Sequence, residues 1–81
     1  KGGVIKMKAY ILISAGLGVV NDVLDNLRKI NEIKSAHSTV GPYDIIAFIE
    51  SSDLPSLGDI IVQKIQKISG VSKTLTCMII E

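Results

Sequence analysis

Tryptophan is absent from this sequence, cysteine occurs once, and aromatic residues make up 4% of the chain. With so few rings there is little on which bases could stack. No basic block appears either, so phosphate contacts are poorly supported and no direct nucleic-acid binding is expected. The single cysteine, Cys77, lies in an apolar stretch. One thiol makes neither a disulfide framework nor a metal cluster. It reads as a small buried hydrophobe, and cytosol is the natural compartment. There is no metal-ligand spacing, no phosphate loop and no nucleophile elbow. Gly16-x-Gly18 is a loop, not a dinucleotide fingerprint, and no cofactor is expected. Long hydrophobic runs are missing too. Ala9 to Gly16, preceded by Lys6 and Lys8, faintly imitates a signal peptide. The run ends without an Ala-x-Ala site and falls short of the roughly 20 apolar residues that span a bilayer. It reads as a strand, and no membrane partner is expected.

What is present is apolar. Hydrophobic residues make up 47% of the 81 positions, and the mean hydropathy is +0.42. A chain this short is one domain and buries only about 60% of its unfolded surface. That is more apolar material than one small core needs, so self-association is expected. Residues 1–6 read as a flexible lead or expression remnant, with Met7 a plausible native start, and 7–81 as the single domain.

Taken in order, residues 4–14 form a first strand, with Ala9, Ile11 and Ile13 on one side and Tyr10 and Leu12 on the other. Val20, Val23, Leu24, Leu27 and Ile30 recur at helical spacing and predict a helix over 19–30. Residues 33–40 are the most polar strand and suit an edge. Strand 44–50 is almost wholly apolar and must be covered on both faces. Asp53 is a suitable N-cap, and Pro55 falls in the first turn of a second helix over 54–68. Its stripe is Leu57, Ile60, Ile61, Ile65 and Ile68. Gly70 suits a left-handed cap, and 71–80 form the last strand. The order β-α-β-β-α-β predicts an α+β, ferredoxin-like sandwich: a four-stranded antiparallel sheet with two helices on one face.

One set of strand residues, Ile11, Ile13, Ile45, Ala47, Ile49, Leu75, Cys77 and Ile79, is uniformly apolar and is assigned to the helices. The other set is Tyr10, Leu12, Ile46, Phe48, Thr76, Met78 and Ile80. It is still largely apolar, and no element of the chain is left to cover it. Its burial is worth on the order of 10 kcal/mol, similar to a domain's whole net stability. A second copy packed sheet to sheet is expected, with Tyr10, Leu12, Ile46, Phe48, Met78 and Ile80 at the interface.

Turn chemistry, an aromatic and a carboxylate coincide at Gly41-Pro42-Tyr43-Asp44. Any site is expected to include this lip. It resembles the Gly-x-(Tyr/Phe)-Asp turn of the effector-binding domain of the Lrp/AsnC transcription regulators, also called the RAM domain. Gly70-Val71-Ser72-Lys73-Thr74-Leu75-Thr76 resembles that family's Gly-Val-x-x-Thr-x-Thr lead into the last strand. The similarity covers about residues 8–81. Full-length members carry an N-terminal helix-turn-helix domain. None is present in these residues, so the chain is similar to the stand-alone members. The resemblance implies a homo-oligomer: dimers, often assembled further into octameric rings, that bind free amino acids between subunits. Pro42 lies where members vary, so ligand identity does not carry over.

An amino acid is a zwitterion, and its ammonium and carboxylate need opposite partners. On this reading Asp44 supplies the anion, Gly41 lets the backbone approach, and Tyr43 forms a wall. Thr74 and Thr76 add hydroxyls, brought together with the lip by the resemblance and not by spacing. Each residue also has a plain structural reading. Gly41-Pro42 makes a hairpin turn, and Asp44 bonds turn backbone. Tyr43 is an interface residue, and the threonines are β-branched strand formers. Two other functions stay open. One is a dimeric α+β-barrel enzyme using His37, Tyr43 and Asp44, which lacks an evident acid–base pair. The other is a structural partner co-assembling with full-length regulators.

Overall fold

A computed structural model describes residues 6–80. Strand β1 (Met7–Ala15) lies inside the sheet because its alternate residues Ala9, Ile11 and Ile13 leave no surface in water. Strands β2 (Ile33–Ser38), β3 (Ile45–Ser51) and β4 (Val71–Met78) complete a sheet of order β2-β3-β1-β4. Every neighbouring pair is antiparallel. Strands β3 and β1 take the centre, and the polar strand β2 is an edge, as expected. This is the ferredoxin-like architecture. The part of the first strand placed before residue 6 lies outside the described residues.

Helix α1 (Val20–Leu27) buries Val23, Leu24 and Leu27 on the sheet. It is shorter than the spacing predicts. Lys29 and Ile30 donate to carbonyls three residues back, and Ile33 donates to Ile30. Such tight bonds end a helix and reverse the chain. The Arg28 guanidinium then reaches the Ala36 carbonyl at 2.9 Å and ties the helix end to β2.

Helix α2 (Leu54–Asp59) starts as expected. The Asp53 carboxylate accepts from the Ser56 N–H at 2.8 Å, and the Ser56 side chain, with that N–H second, holds the carboxyl below its usual range. From Ile60 to Ile65 the helix widens into π turns, closed by Gln66 N–H on the Ile61 carbonyl at 2.8 Å. The apolar stripe is kept: Leu57, Ile60, Ile61 and Ile65 are buried and Ile68 is half-buried.

Gly70 closes this region at φ +101°, where a side chain is strained. A Cβ there would also stand 2.9 Å from Val19 Cγ2 and 3.0 Å from Val23 Cγ2. Gly70→Ala therefore combines backbone strain with overpacking, a cost of about 2–4 kcal/mol. In a domain of this size that lowers the thermal midpoint by about 10 °C or more, which a circular-dichroism melt reads directly.

The faces of β4 are the reverse of those expected. Ser14 pairs with Lys73, but Ala15 pairs with Val71, so Ser72 is an extra, bulged residue. Strict alternation from the core-packed Val71 would send Leu75, Cys77 and Ile79 to the helices. One added residue flips every later side chain. Thr74, Thr76 and Met78 therefore share the helix side with Ile13, Ile11 and Ala9. The helices do not shield that edge, and Thr76 and Met78 are exposed. Leu75 and Cys77 join the open face, and Cys77 is an exposed thiol, not a buried one. Ile80 lies beyond the strand and is almost fully exposed.

The middle of the open face holds two cross-strand rows: Ser35, Phe48, Tyr10 and Cys77, then His37, Ile46, Leu12 and Leu75, flanked by the pairs Lys8–Glu50 and Ser14–Lys73. Tyr10 and Phe48 touch, with ring centroids 5.3 Å apart and planes at 49°. None of the described elements covers these rows, and Tyr10 and Leu75 stay nearly half exposed.

Candidate functional site

The residues singled out in the sequence gather at one end of the sheet, around the end of β1. The lip Gly41–Asp44 is closed by its own backbone. Thr39 N–H donates to the Asp44 carbonyl at 2.8 Å, and the Thr39 hydroxyl donates to the Tyr43 carbonyl at 2.9 Å. Asp44 N–H then donates to the Ile13 carbonyl at 2.9 Å. The Asp44 carboxylate accepts from Ala15 N–H at 2.8 Å through Oδ2. It satisfies a main-chain donor where the β1–β3 ladder stops. Asp44 therefore bonds backbone, as its plain reading holds, but on the adjacent strand and not within its own turn.

Gly41 has no steric reason to be glycine within this chain. Its φ is not positive, and a Cβ there would meet nothing within 4 Å. Tyr43 is half-buried beside it, while Val40 is fully exposed.

Thr74 lies on the other side of β1. It pairs with Ile13, which pairs in turn with Ile45 next to Asp44. Two strand spacings, about 10 Å, separate Thr74 from the lip. Thr74 is also on the helix side of the sheet, where Gln66 Nε2 donates to its Oγ1 at 3.0 Å. Thr76 is two residues farther along the strand and exposed. Within one chain the two parts of the expected site share an end of the sheet but do not form one pocket.

Sequence reasoning missed Gln66, Ser72 and Lys73, which with Val71 and Thr74 line a cleft of about 290 Å³. The Ser72 hydroxyl donates to the Ser14 carbonyl at 3.1 Å and pins the bulge. Gln66 sits on the polar side of its helix, and no local signal marks it.

A larger cleft, of about 460 Å³, lies at the opposite end of the sheet among Lys6, Glu32, Lys34, Glu50, Asp59 and Lys64. Its charges are largely spent on each other. Lys64 Nζ is 3.3 Å from Glu32 Oε1, and Lys6 Nζ is 3.9 Å from Glu50 Oε1. The Glu32 carboxyl is held below its usual range, chiefly by its own backbone N–H, with Lys64 and Lys34 adding to the effect. His37 stands exposed on the open face opposite Ile46. Among the described residues no cluster of His, Cys, Asp or Glu has the arrangement of a metal site, and no helix is long and apolar enough to cross a membrane.

Comparison with known proteins follows the same lines. The profile of the Lrp/AsnC ligand binding domain matches residues 8–81. An uncharacterized helix-turn-helix-type transcriptional regulator of Pyrococcus furiosus is 28% identical over 72 residues, which is 84% of this chain and 47% of the regulator. The chain thus spans about half the length of that curated relative. A hypothetical protein from Pyrococcus horikoshii superposes with a TM-score of 0.87 at 31% identity, covering 93% of this chain and 90% of the other. A transcriptional regulator of Neisseria meningitidis, solved in complex with L-Met, has the same fold at 16% identity. Its TM-score is 0.84, over 93% of this chain and 50% of the regulator. The match runs through both motifs and all four strands, and the chain belongs to the Lrp/AsnC family, of which it forms the ligand-binding domain.

Proposed function

We propose that this domain binds a free amino acid between subunits and relays its occupancy to transcription regulation, acting by binding and without catalysis. The observation that carries this reading is the division of polar groups around the end of β1. Asp44 and Tyr43 stand on one side and Thr74 on the other, with unfilled space at Gly41. A ligand held by both groups needs a second copy to bring them together. The open apolar face supplies a reason for that copy to be there. Its rows, with Tyr10, Leu12, Ile46, Phe48 and Leu75, pack sheet to sheet in a dimer. The methionine complex of a regulator with this fold is in keeping with an amino-acid effector. On this reading the signal passes to full-length regulators of the family by mixed assembly through the open face.

A thermal-shift screen over the free amino acids tests the reading. A ligand at 100 times its Kd adds about 2.7 kcal/mol. For a domain of this size that is about 10 °C or more in the midpoint. Flat melts with every amino acid at millimolar concentration would overturn it.

A further inference from the structure

We propose that His37 is a pH switch in the open-face interface, and that its protonation drives the two copies apart. The inference rests on the sheet-to-sheet dimer proposed above and supplies its regulation. His37 is the one histidine among the 81 residues. Histidine is the side chain whose ordinary charge change falls between pH 5 and 8. Its neighbour Ala36 faces the core at 2% exposure, so alternation along β2 sends His37 to the open face, opposite Ile46. The row continues through Leu12 and Leu75, and the next row holds Phe48 and Tyr10. These are the rows that a second copy covers.

The fixed charges of this face lie at its two ends. Lys8 pairs with Glu50 at one end. At the other, Lys73 pairs with Ser14, and Thr39 N–H bonds the carbonyl of Asp44. The two rows between carry no carboxylate. Their other titratable groups are the Tyr10 phenol and the Cys77 thiol, and phenols and thiols ordinarily ionise above pH 8. Along its own strand His37 has two cations for company. Lys34 Nζ donates to the Asn31 carbonyl, and Arg28 reaches the Ala36 carbonyl from the helix side. Asp44 is one cross-strand diagonal away, but its carboxylate is turned to Ala15 N–H, across β3 from β2. A twofold partner presents the same residues, so it too brings carboxylates only at the ends. A neutral imidazole can be packed against such apolar rows, whereas burying an imidazolium there without a counter-ion is costly. The free copy therefore takes up a proton that the dimer excludes. Assembly is strongest above the titration range and is lost as the pH falls through it. One proton per copy is two per dimer, which weakens the dimer by up to about a hundredfold per pH unit. Acid loosens the effector site in the same step, because that site needs both copies.

Sedimentation velocity on the intact chain at pH 7.5 and 5.5, at equal ionic strength, tests the switch. The native chain is compared with His37→Gln, which cannot take the proton, and His37→Lys, which carries a charge at both pH values. Circular dichroism at each pH checks that all three stay folded. The native dimer Kd is expected to rise about tenfold or more at pH 5.5. His37→Gln should assemble equally well at both pH values, and His37→Lys should be about tenfold or more weaker than the native chain at pH 7.5. A native Kd that is equal or tighter at pH 5.5 overturns the switch and leaves the dimer standing. So does a His37→Gln variant that keeps the native pH dependence, or a His37→Lys dimer as tight as the native one. A native chain that is monomeric at pH 7.5 up to millimolar concentration removes the dimer, and the switch with it.

Discussion

Phe48→Glu is expected to convert the protein to a folded monomer. Phe48 lies on the face away from the helices, against Tyr10 and between Ser35 and Tyr10 in its row. Phe48 belongs neither to the core on the other side, built on Ile11, Ile13, Ile45 and Ile49, nor to the half-buried residues packed against that core. In a sheet-to-sheet dimer each copy loses a buried aromatic worth about 1.5–3 kcal/mol. The loss counts twice, and two carboxylates must then be desolvated in the interface. At about 1.4 kcal/mol per tenfold, the dimer Kd rises by on the order of a thousandfold or more. Sedimentation velocity at micromolar concentration should show a dimer or larger species for the native chain and a monomer for Phe48→Glu. Unchanged sedimentation would show that the open face is not the interface.

The second large effect is expected at Asp44, and the choice of substitution decides what is learned. Asp44→Ala removes the acceptor for Ala15 N–H and leaves a strand-end donor unpaired. That costs about 1–3 kcal/mol whether or not a ligand binds there. Asp44→Asn keeps an oxygen for Ala15 N–H and removes only the charge. If Asp44 holds the effector ammonium, the asparagine variant should melt near the native chain yet bind the amino acid about 10- to 100-fold more weakly. That range is the worth of a hydrogen bond to a charged group, about 1.5–3 kcal/mol. Native affinity in Asp44→Asn would leave the residue with its strand-end role alone.

Much of the fold was legible because apolar spacing and burial agree at most positions. Ile11, Ile13, Ile45 and Ile49 alternate and are fully buried, and the stripes of both helices face the core. What could not be read depends on single residues with no compositional mark. Ser72 is an ordinary serine in a strand, and its bulge reverses β4, so Met78 and Leu75 exchange faces. Both parities of β4 carry apolar residues, so hydropathy could not expose the error. The π turns leave the 3- and 4-residue spacing of Leu57, Ile60, Ile61 and Ile65 intact, so Gln66 gave no sign of its reach to Thr74. The lip at Gly41–Asp44 was legible as turn chemistry at a strand end. The tie from Asp44 to Ala15 joins residues 29 apart in sequence, a distance that no local pattern reports.

The central claim is that the effector site is completed by a second copy. Calorimetric titration of the native chain and of folded, monomeric Phe48→Glu tests it most directly, using whichever free amino acid gives the largest thermal shift. The expected result is saturable binding to the native oligomer and no measurable heat with the monomer. Binding of equal affinity by the monomer would place the whole site within one chain and contradict the account.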